Sequence, residues 1–260
     1  MKTYLQLNKQ EILSEIQSYI KSELSYTPEN ITEIGETNRF SLAYNVDSKY
    51  VVKIVTPTHK RMHNMFAEFK NIMFAPYMDN PWFDTFISTT EMVTHEYAIT
   101  KKLYSLGYSP EPVHASQNTT LNSGIYVTKY IDFTEVAMFS LDQDMYPLIS
   151  ELFAMINTLH ENNIAHGDLQ PDNVLVYKNS VSLIDPANIN IHSNYKVFDI
   201  ASALSVAYII GSPELCLSTA REHFSEEELE DSTELLRLVG MQLGYKKRII
   251  PLYTHLTQHL

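Results

Sequence analysis

Three oxygen-bearing side chains border two short apolar runs in the second half of the chain. Asp168 and Asn173 lie five positions apart, directly before the run 174–176, and Asp185 directly follows the run 181–184. Carboxylate and amide oxygens are ligands that Mg²⁺ accepts, and a carboxylate beside a hydroxyl can orient it or take its proton. The spacing therefore predicts in-line phosphoryl transfer, provided that the fold brings the three side chains together.

The elements around these residues are arranged to bring them together. Apolar residues recur on one face of residues 148–160 and predict an amphipathic helix. The runs 174–176 and 181–184 predict two short strands joined by a turn at 178–180. A hairpin of this kind places the three oxygen-bearing side chains at one end of its two strands.

The rest of the chain divides into a strand-rich first half and a mainly helical second half. Residues 8–24 predict a helix, because isoleucine and leucine recur every four residues. Three short runs between residues 31 and 55 predict antiparallel strands, and residues 91–106 predict a further helix. Another strand is predicted at 124–131, and the chain after residue 197 is mainly helical in pattern. The predicted fold class is α+β.

The stretch from Leu159 to Val176 resembles the catalytic loop of protein-kinase-like phosphotransferases. Its His-Gly-Asp variant, residues 166–168, is shared by aminoglycoside phosphotransferases, choline and fructosamine kinases, lipopolysaccharide kinases and RIO-type atypical protein kinases. The resemblance implies a two-lobed protein-kinase-like fold, with an antiparallel sheet plus helix in the N-terminal lobe and a mainly helical C-terminal lobe. It also implies ATP and Mg²⁺ as cofactors.

The same resemblance implies a role for each polar residue of this region. Asp168 matches the catalytic base or hydroxyl-orienting group, and Asn173 and Asp185 match the Mg²⁺ ligands. His166 matches a structural brace rather than a proton carrier. Asp199 resembles the aspartate at a helix start that anchors the backbone of the catalytic loop.

The first half of the chain supplies candidates for nucleotide binding. Lys53 matches the strand lysine that holds the α- and β-phosphates of ATP. Gly35 and Asn38 belong to a segment in the position of the phosphate-covering loop, although it has a single glycine where protein kinases have three. A helix glutamate is expected to pair with Lys53. Glu96 is favoured because its helix leads into a Gly-x-x-Pro connector, and Glu68 is the alternative.

The order of these motifs along the chain predicts where the lobes begin and end. Lys129 and Ile131 lie where the resemblance expects the hinge that contacts adenine through backbone groups. The nucleotide-binding lobe is predicted at residues 1–130 and the catalytic lobe at 131–260. Residues 59–90 separate Lys53 from Glu96 and are predicted to be an insertion in the first lobe.

Two departures from conventional protein kinases bear on the phosphate acceptor. Gln170 occupies the position where Ser/Thr protein kinases carry a lysine, and its neutral amide supplies no charge to the γ-phosphate. Asp185 begins Asp-Pro-Ala instead of Asp-Phe-Gly, and Asp199 follows it after fourteen residues. This interval is too short for the activation segment and peptide platform of conventional protein kinases.

Three functions follow from these features. The first choice is an ATP- and Mg²⁺-dependent kinase that phosphorylates a hydroxyl of a small molecule, because the short interval resembles fructosamine-kinase-like and aminoglycoside-phosphotransferase-like enzymes. The second is an atypical Ser/Thr protein kinase of RIO-like or minimal effector type, since these also lack the platform. The third is a non-catalytic nucleotide-binding regulator, although Lys53, Asp168, Asn173 and Asp185 are all present.

Composition limits the partners and the compartment. The 31 acidic and 19 basic residues give a net charge of −12, which disfavours nucleic-acid binding over a broad face. Cys216 is the only cysteine, so no disulfide can form within the chain. No apolar run reaches the ~18 residues needed to span a bilayer. A cytoplasmic protein is expected, and export without a cleavable signal stays open.

Overall fold

The computed structural model describes most of the chain. The described residues are 9–34, 41–78, 80–118, 120, 122–135, 144–177, 180–186, 195–242 and 246–260. They form two compact units. The first comprises the described residues within Met1–Glu68, Thr85–Tyr104 and Pro110–Asp132, and the second comprises those within Phe69–Asp84, Ser105–Ser109 and Phe133–Leu260.

The first unit is built on a five-stranded antiparallel sheet. Its strands, in chain order, are β1 (Ile31–Ile34), β2 (Leu42–Val46), β3 (Tyr50–Val55), β4 (Pro112–Asn118) and β5 (Ser123–Lys129). Their order across the sheet is β1-β2-β3-β5-β4. Strand β3 is therefore central, and Lys53 on it is opposite Ala43 of β2 and Tyr126 of β5.

Helix α1 (Lys9–Leu24) covers one side of this sheet, as its apolar stripe predicts. Ile12, Ile16 and Ile20 are buried and belong to the same core cluster as Val52 and Ile125 of the central strands. Burying one branched aliphatic side chain of this size contributes about 1.5–3 kcal/mol relative to leaving it exposed. The four-residue spacing of these isoleucines thus corresponds to the face of α1 that packs on the sheet.

Helices α2 (Pro57–Phe74) and α3 (Thr89–Ser105) follow strand β3. Helix α2 starts where Thr56 Oγ1 accepts a hydrogen bond from the His59 N–H at 3.3 Å, with proline at the first helical position. A short 3₁₀ turn, Ala75–Tyr77, comes next. Residues 59–77, the first part of the predicted insertion, are therefore mainly helical.

Strand β4 has no counterpart among the predicted strands. Its first residue is Pro112, which cannot donate a backbone hydrogen bond. Because β4 lies at the edge of the sheet formed by the described residues, the missing donor is tolerated there. The proline at its start explains why the sequence pattern did not indicate this strand. Gly107, with φ of +85°, lies just after the end of α3, a position where glycine is favoured.

The second unit is mainly helical and contains a small sheet. Strands β6 (Thr134–Glu135), β7 (Val174–Tyr177) and β8 (Ser180–Leu183) pair antiparallel in that order. The helices are α4 (Tyr146–Glu161), α5 (Lys196–Ile210), α6 (Pro213–Ala220), α7 (Glu226–Gln242) and α8 (Lys246–His259). Helix α5 is buried along almost its whole length and contacts α4, α6, α7 and α8. Five of the eight described strands thus lie in the first unit and helices α4–α8 lie in the second, while the predicted lobe boundary at residues 130 and 131 stays a prediction.

Within the described residues, no helix is long and apolar enough to cross a membrane.

Candidate active site

The loop between α4 and β7 is held by a buried carboxylate. Asp199, in the first turn of α5, is fully buried and accepts hydrogen bonds from two consecutive backbone N–H groups. The N–H of His166 donates to Oδ2 at 2.7 Å, and the N–H of Gly167 donates to Oδ1 at 2.8 Å. Gly167 has φ of +73°, which favours glycine there. Asp199 thus fixes the backbone directly before Asp168.

His166 is buried, and its two ring nitrogens have opposite roles. Nε2 lies 3.0 Å from the carbonyl oxygen of Ile184, so it must carry the proton and donate. Nδ1 accepts from the Asp168 N–H at 3.4 Å. Burial lowers the pKa of His166, although Asp199 and Asp168 oppose the shift. The ring is therefore neutral and links the loop to the end of β8, which is the geometry of a brace.

The side chain of Asp168 extends from this fixed backbone and has two polar partners, Lys70 and Gln170. Lys70 Nζ lies 3.0 Å from Oδ1, and Gln170 Nε2 donates to Oδ2 at 2.9 Å. Burial by itself would raise the pKa of Asp168, but the charge and hydrogen bond of Lys70, followed by His166 and Gln170, hold it below the ordinary value. The Asp168 carboxylate is thus ionised at neutral pH.

Lys70 is the residue of this site that the sequence did not indicate. It lies 98 positions before Asp168, on helix α2, within the stretch predicted as an insertion. Its side chain and that of Asp168 are only 17% and 24% exposed. A lysine in an amphipathic helix carries no local signal for such a contact, since exposed helix faces are rich in lysine.

Asn173 and Asp185 are brought together by backbone pairing. Strands β7 and β8 pair Val174 with Leu183, and the Ile184 N–H donates to the carbonyl oxygen of Asn173 at 3.1 Å. Asn173 Nδ2 donates to the carbonyl oxygen of Asp168 at 2.8 Å, so the amide oxygen is the atom left to act as a ligand. The hairpin thus places residues 168, 173 and 185 at the same end of its two strands.

The donor set at this position fits Mg²⁺. It offers an amide oxygen and a carboxylate, which are hard ligands, and Mg²⁺ in phosphate-transfer sites completes its shell with waters and substrate phosphates. Among the described residues, no group of three or more His, Cys, Asp or Glu side chains is arranged to hold a metal ion. Asp185 has φ of +54°, a conformation that aspartate tolerates better than most residues and that is common at functional sites.

In the first unit, Lys53 pairs with the glutamate that was favoured. Lys53 Nζ lies 2.9 Å from Glu96 Oε1, joining β3 to α3 across 43 positions. The side chains are only 13% and 9% exposed, so solvent screens the pair weakly. Glu68, the alternative, is exposed on α2. The part that this pair plays toward a nucleotide stays a prediction.

The remaining predicted nucleotide contacts are described in part. The Lys129 N–H donates to the carbonyl oxygen of Glu111 at 2.8 Å, and the Tyr130 N–H donates to that of Lys49 at 3.0 Å. An adenine contact at Lys129 must therefore use its carbonyl oxygen, and the contact at Ile131 stays a prediction. Gly35 and Asn38 lie outside the described residues.

The fold and this loop define a protein of the atypical branch of the protein-kinase-like superfamily. The RIO domain family profile matches residues 40–198. The chain belongs to the RIO domain family. No curated protein matches it.

Solved aminoglycoside phosphotransferases share the fold. The GDP and kanamycin complex of APH(2")-IIia is similar with a TM-score of 0.54 and 10% identity, covering 95% of this chain and 99% of that one. The GDP complex of wild-type aminoglycoside 2'-phosphotransferase-IIIa has a TM-score of 0.50 and 11% identity, covering 98% and 100%. At such identities the likeness shows the fold alone. The predicted α+β, two-lobed kinase-like fold is confirmed.

Proposed function

We propose that this chain is a Mg²⁺-dependent phosphotransferase that moves the γ-phosphate of ATP to a hydroxyl group. One observation carries the proposal: Asp168 and Asn173 are fixed to each other, and Asn173 to the residue before Asp185, by hydrogen bonds at 2.8 and 3.1 Å. A regulator that only binds nucleotide has no need for an ionised carboxylate held beside two metal-type oxygen ligands.

Asp168 would orient the acceptor hydroxyl and take its proton. Its carboxylate is ionised because Lys70 and Gln170 hold its pKa below the ordinary value despite burial. The backbone on either side is fixed through Asp199 and Asn173, which limits the positions the carboxylate can adopt. A base held within about 3 Å of the hydroxyl it activates typically contributes about 10²–10⁴-fold in rate.

Asn173 and Asp185 would hold Mg²⁺, which neutralises charge on the phosphates when it is bound. Lys53 would bind the α- and β-phosphates, with Glu96 keeping its ammonium group in place. The 2.9 Å separation of this pair supports the assignment. Lys129 and Ile131 are proposed to contact adenine through the Lys129 carbonyl oxygen and the Ile131 N–H.

A small hydroxylated molecule is the proposed acceptor. The interval between Asp185 and Asp199 holds too few residues for a peptide platform. Membership of the RIO domain family favours a second candidate, a protein substrate phosphorylated on serine or threonine, because RIO-type kinases are atypical protein kinases.

The test is transfer of label from γ-³²P-ATP in the presence of Mg²⁺. Purified protein is incubated with a cell extract, which is then divided into protein and metabolite fractions. Label in the metabolite fraction supports a small acceptor, and label on serine or threonine supports the second candidate. Asp168→Asn and Asp185→Asn should each abolish transfer, while Asp231→Asn, at an exposed aspartate in α7, should leave it intact. ATP binding without transfer to either fraction would identify a non-catalytic regulator and overturn the proposal.

A further inference from the structure

Lys70 contacts both the proposed base, Asp168, and the ring of Phe83. Its ammonium group lies 3.0 Å from Asp168 Oδ1 and 4.8 Å from the centre of the Phe83 ring. Lys70, Phe83 and Asp168 all belong to the second compact unit. Holding a lysine side chain in one conformation costs side-chain entropy. Contacts of the surrounding segment must therefore offset this cost and fix the position of Lys70.

That support comes from the segment that follows Lys70. Asn71 binds the backbone of Phe83 at two points, donating to its carbonyl oxygen at 2.7 Å and accepting from its N–H at 2.9 Å. The Phe83 ring packs edge-on against Phe198 at 5.4 Å. Phe198 immediately precedes Asp199, the anchor of the catalytic-loop backbone. The same few residues of α5 therefore position both Lys70 and the loop that it contacts.

The contact supplies a charge that the loop itself lacks. Gln170 stands where a lysine serves the γ-phosphate in Ser/Thr protein kinases, and its amide instead binds Asp168 Oδ2 at 2.9 Å. An ammonium group has three donors, and one of those of Lys70 is directed at Asp168. The acceptor oxygen must come within about 3 Å of the Asp168 carboxylate to be deprotonated. The phosphorus that it attacks would then lie near the ammonium group of Lys70, whose remaining donors could bind the phosphoryl oxygens.

We propose that Lys70, from the helix inserted between β3 and α3, is a catalytic residue that stabilises the transferring phosphoryl group in place of the missing loop lysine. This inference rests on the proposed phosphotransfer function.

Lys70 acts in the transfer step itself. The acceptor oxygen forms a bond to the γ-phosphorus while its proton moves to Asp168. The bond between the γ-phosphorus and its bridging oxygen breaks, and the electron pair leaves with ADP. The proton passes from Asp168 to solvent after release of the products. Lys70 donates to the phosphoryl oxygens as charge develops on them, and it neither gains nor loses a proton.

The test compares Lys70→Met and Lys70→Arg with wild type in Mg²⁺-dependent ATP hydrolysis, where water is the acceptor. Lys70→Met should lower kcat by about 10²–10³-fold, as loss of a single preorganised donor does, with little change in the KM for ATP. Lys70→Arg, which keeps the charge, should recover part of that loss. The matched control is Arg61→Met, which removes one positive charge from an exposed position of the same helix and should leave kcat unchanged.

A binding measurement separates catalysis from folding. Lys70→Met should bind Mg·ADP as tightly as wild type does, but should bind Mg·ADP with aluminium fluoride, a mimic of the transferring phosphoryl group, at least tenfold more weakly. A structural role alone would weaken both ligands equally.

The outcomes distinguish the two levels of the proposal. A wild-type protein that hydrolyses ATP and a Lys70→Met variant with equal kcat would overturn the role of Lys70 alone. A faster variant would show instead that the Lys70–Asp168 ion pair blocks the base. A wild-type protein with neither hydrolysis nor transfer would overturn both the lysine assignment and the proposed function.

Discussion

Asp199→Asn is the substitution that most directly tests how the catalytic loop is held. The side chain is fully buried and accepts N–H groups from His166 and Gly167 at 2.7 and 2.8 Å. The amide of asparagine has the same shape but only one acceptor oxygen, so its NH₂ group must face the other backbone N–H.

The expected cost follows from these two hydrogen bonds. A hydrogen bond to a charged group contributes about 1.5–3 kcal/mol, and a buried donor left unsatisfied costs about 1–3 kcal/mol. Losing one bond and orphaning one donor should therefore reduce the free energy of unfolding by about 3 kcal/mol or more. At about 2–4 °C per kcal/mol for a chain of this size, Tm should fall by about 6–12 °C.

The assay is thermal unfolding followed by circular dichroism, together with urea unfolding at pH 7. Asp231→Asn is the control, because Asp231 is exposed on α7 and its change should stay within about 0.5 kcal/mol. Equal losses in the two variants would refute the idea that the Asp199 carboxylate holds the loop.

Three further predictions concern other parts of the molecule. Lys53→Met and Glu96→Gln should each weaken ATP binding by isothermal calorimetry, with a coupling of about 0.5–3 kcal/mol in the double variant. Glu68→Gln should bind ATP like wild type, and a loss there instead would contradict the pairing. Burial lowers the pKa of His166, so the unfolded chain takes up a proton there at a higher pH than the folded protein does. The free energy of unfolding, measured in urea, should therefore decline as pH falls below about 6.5. A pH slope unchanged in His166→Asn would contradict this. A Cβ at Gly124 would lie 2.5 Å from a backbone oxygen of α3, so Gly124→Ala should destabilise by about 1–3 kcal/mol in the same assay, and an unchanged Tm would count against the packing described.

The elements that position the site were predictable because each has a local signal. The hairpin of β7 and β8 follows from two apolar runs around a polar turn, and α4 follows from its apolar face. Once such a hairpin forms, residues 168, 173 and 185 must lie at one end of it. The kinase-like fold class followed from the same stretch and is confirmed by the shared fold of the solved phosphotransferases.

Contacts between distant parts of the chain had no such signal. Glu96 and Glu68 are both helix glutamates, and only packing of α3 beside β3 puts Glu96 at 2.9 Å from Lys53. Strand β4 was concealed because a proline is informative only when the strand's place in the sheet is known.

The loop of residues 166–173 shows most clearly what the local sequence determines and what depends on tertiary packing. The sequence by itself determined that residues 166–173 form the polar loop between α4 and β7, because those residues and their flanking elements are neighbours in the chain. The tertiary structure alone decided which cation stands beside Asp168. Lys70 comes from 98 positions away, and its place depends on Asn71, Phe83 and Phe198 packing together, which no local pattern encodes.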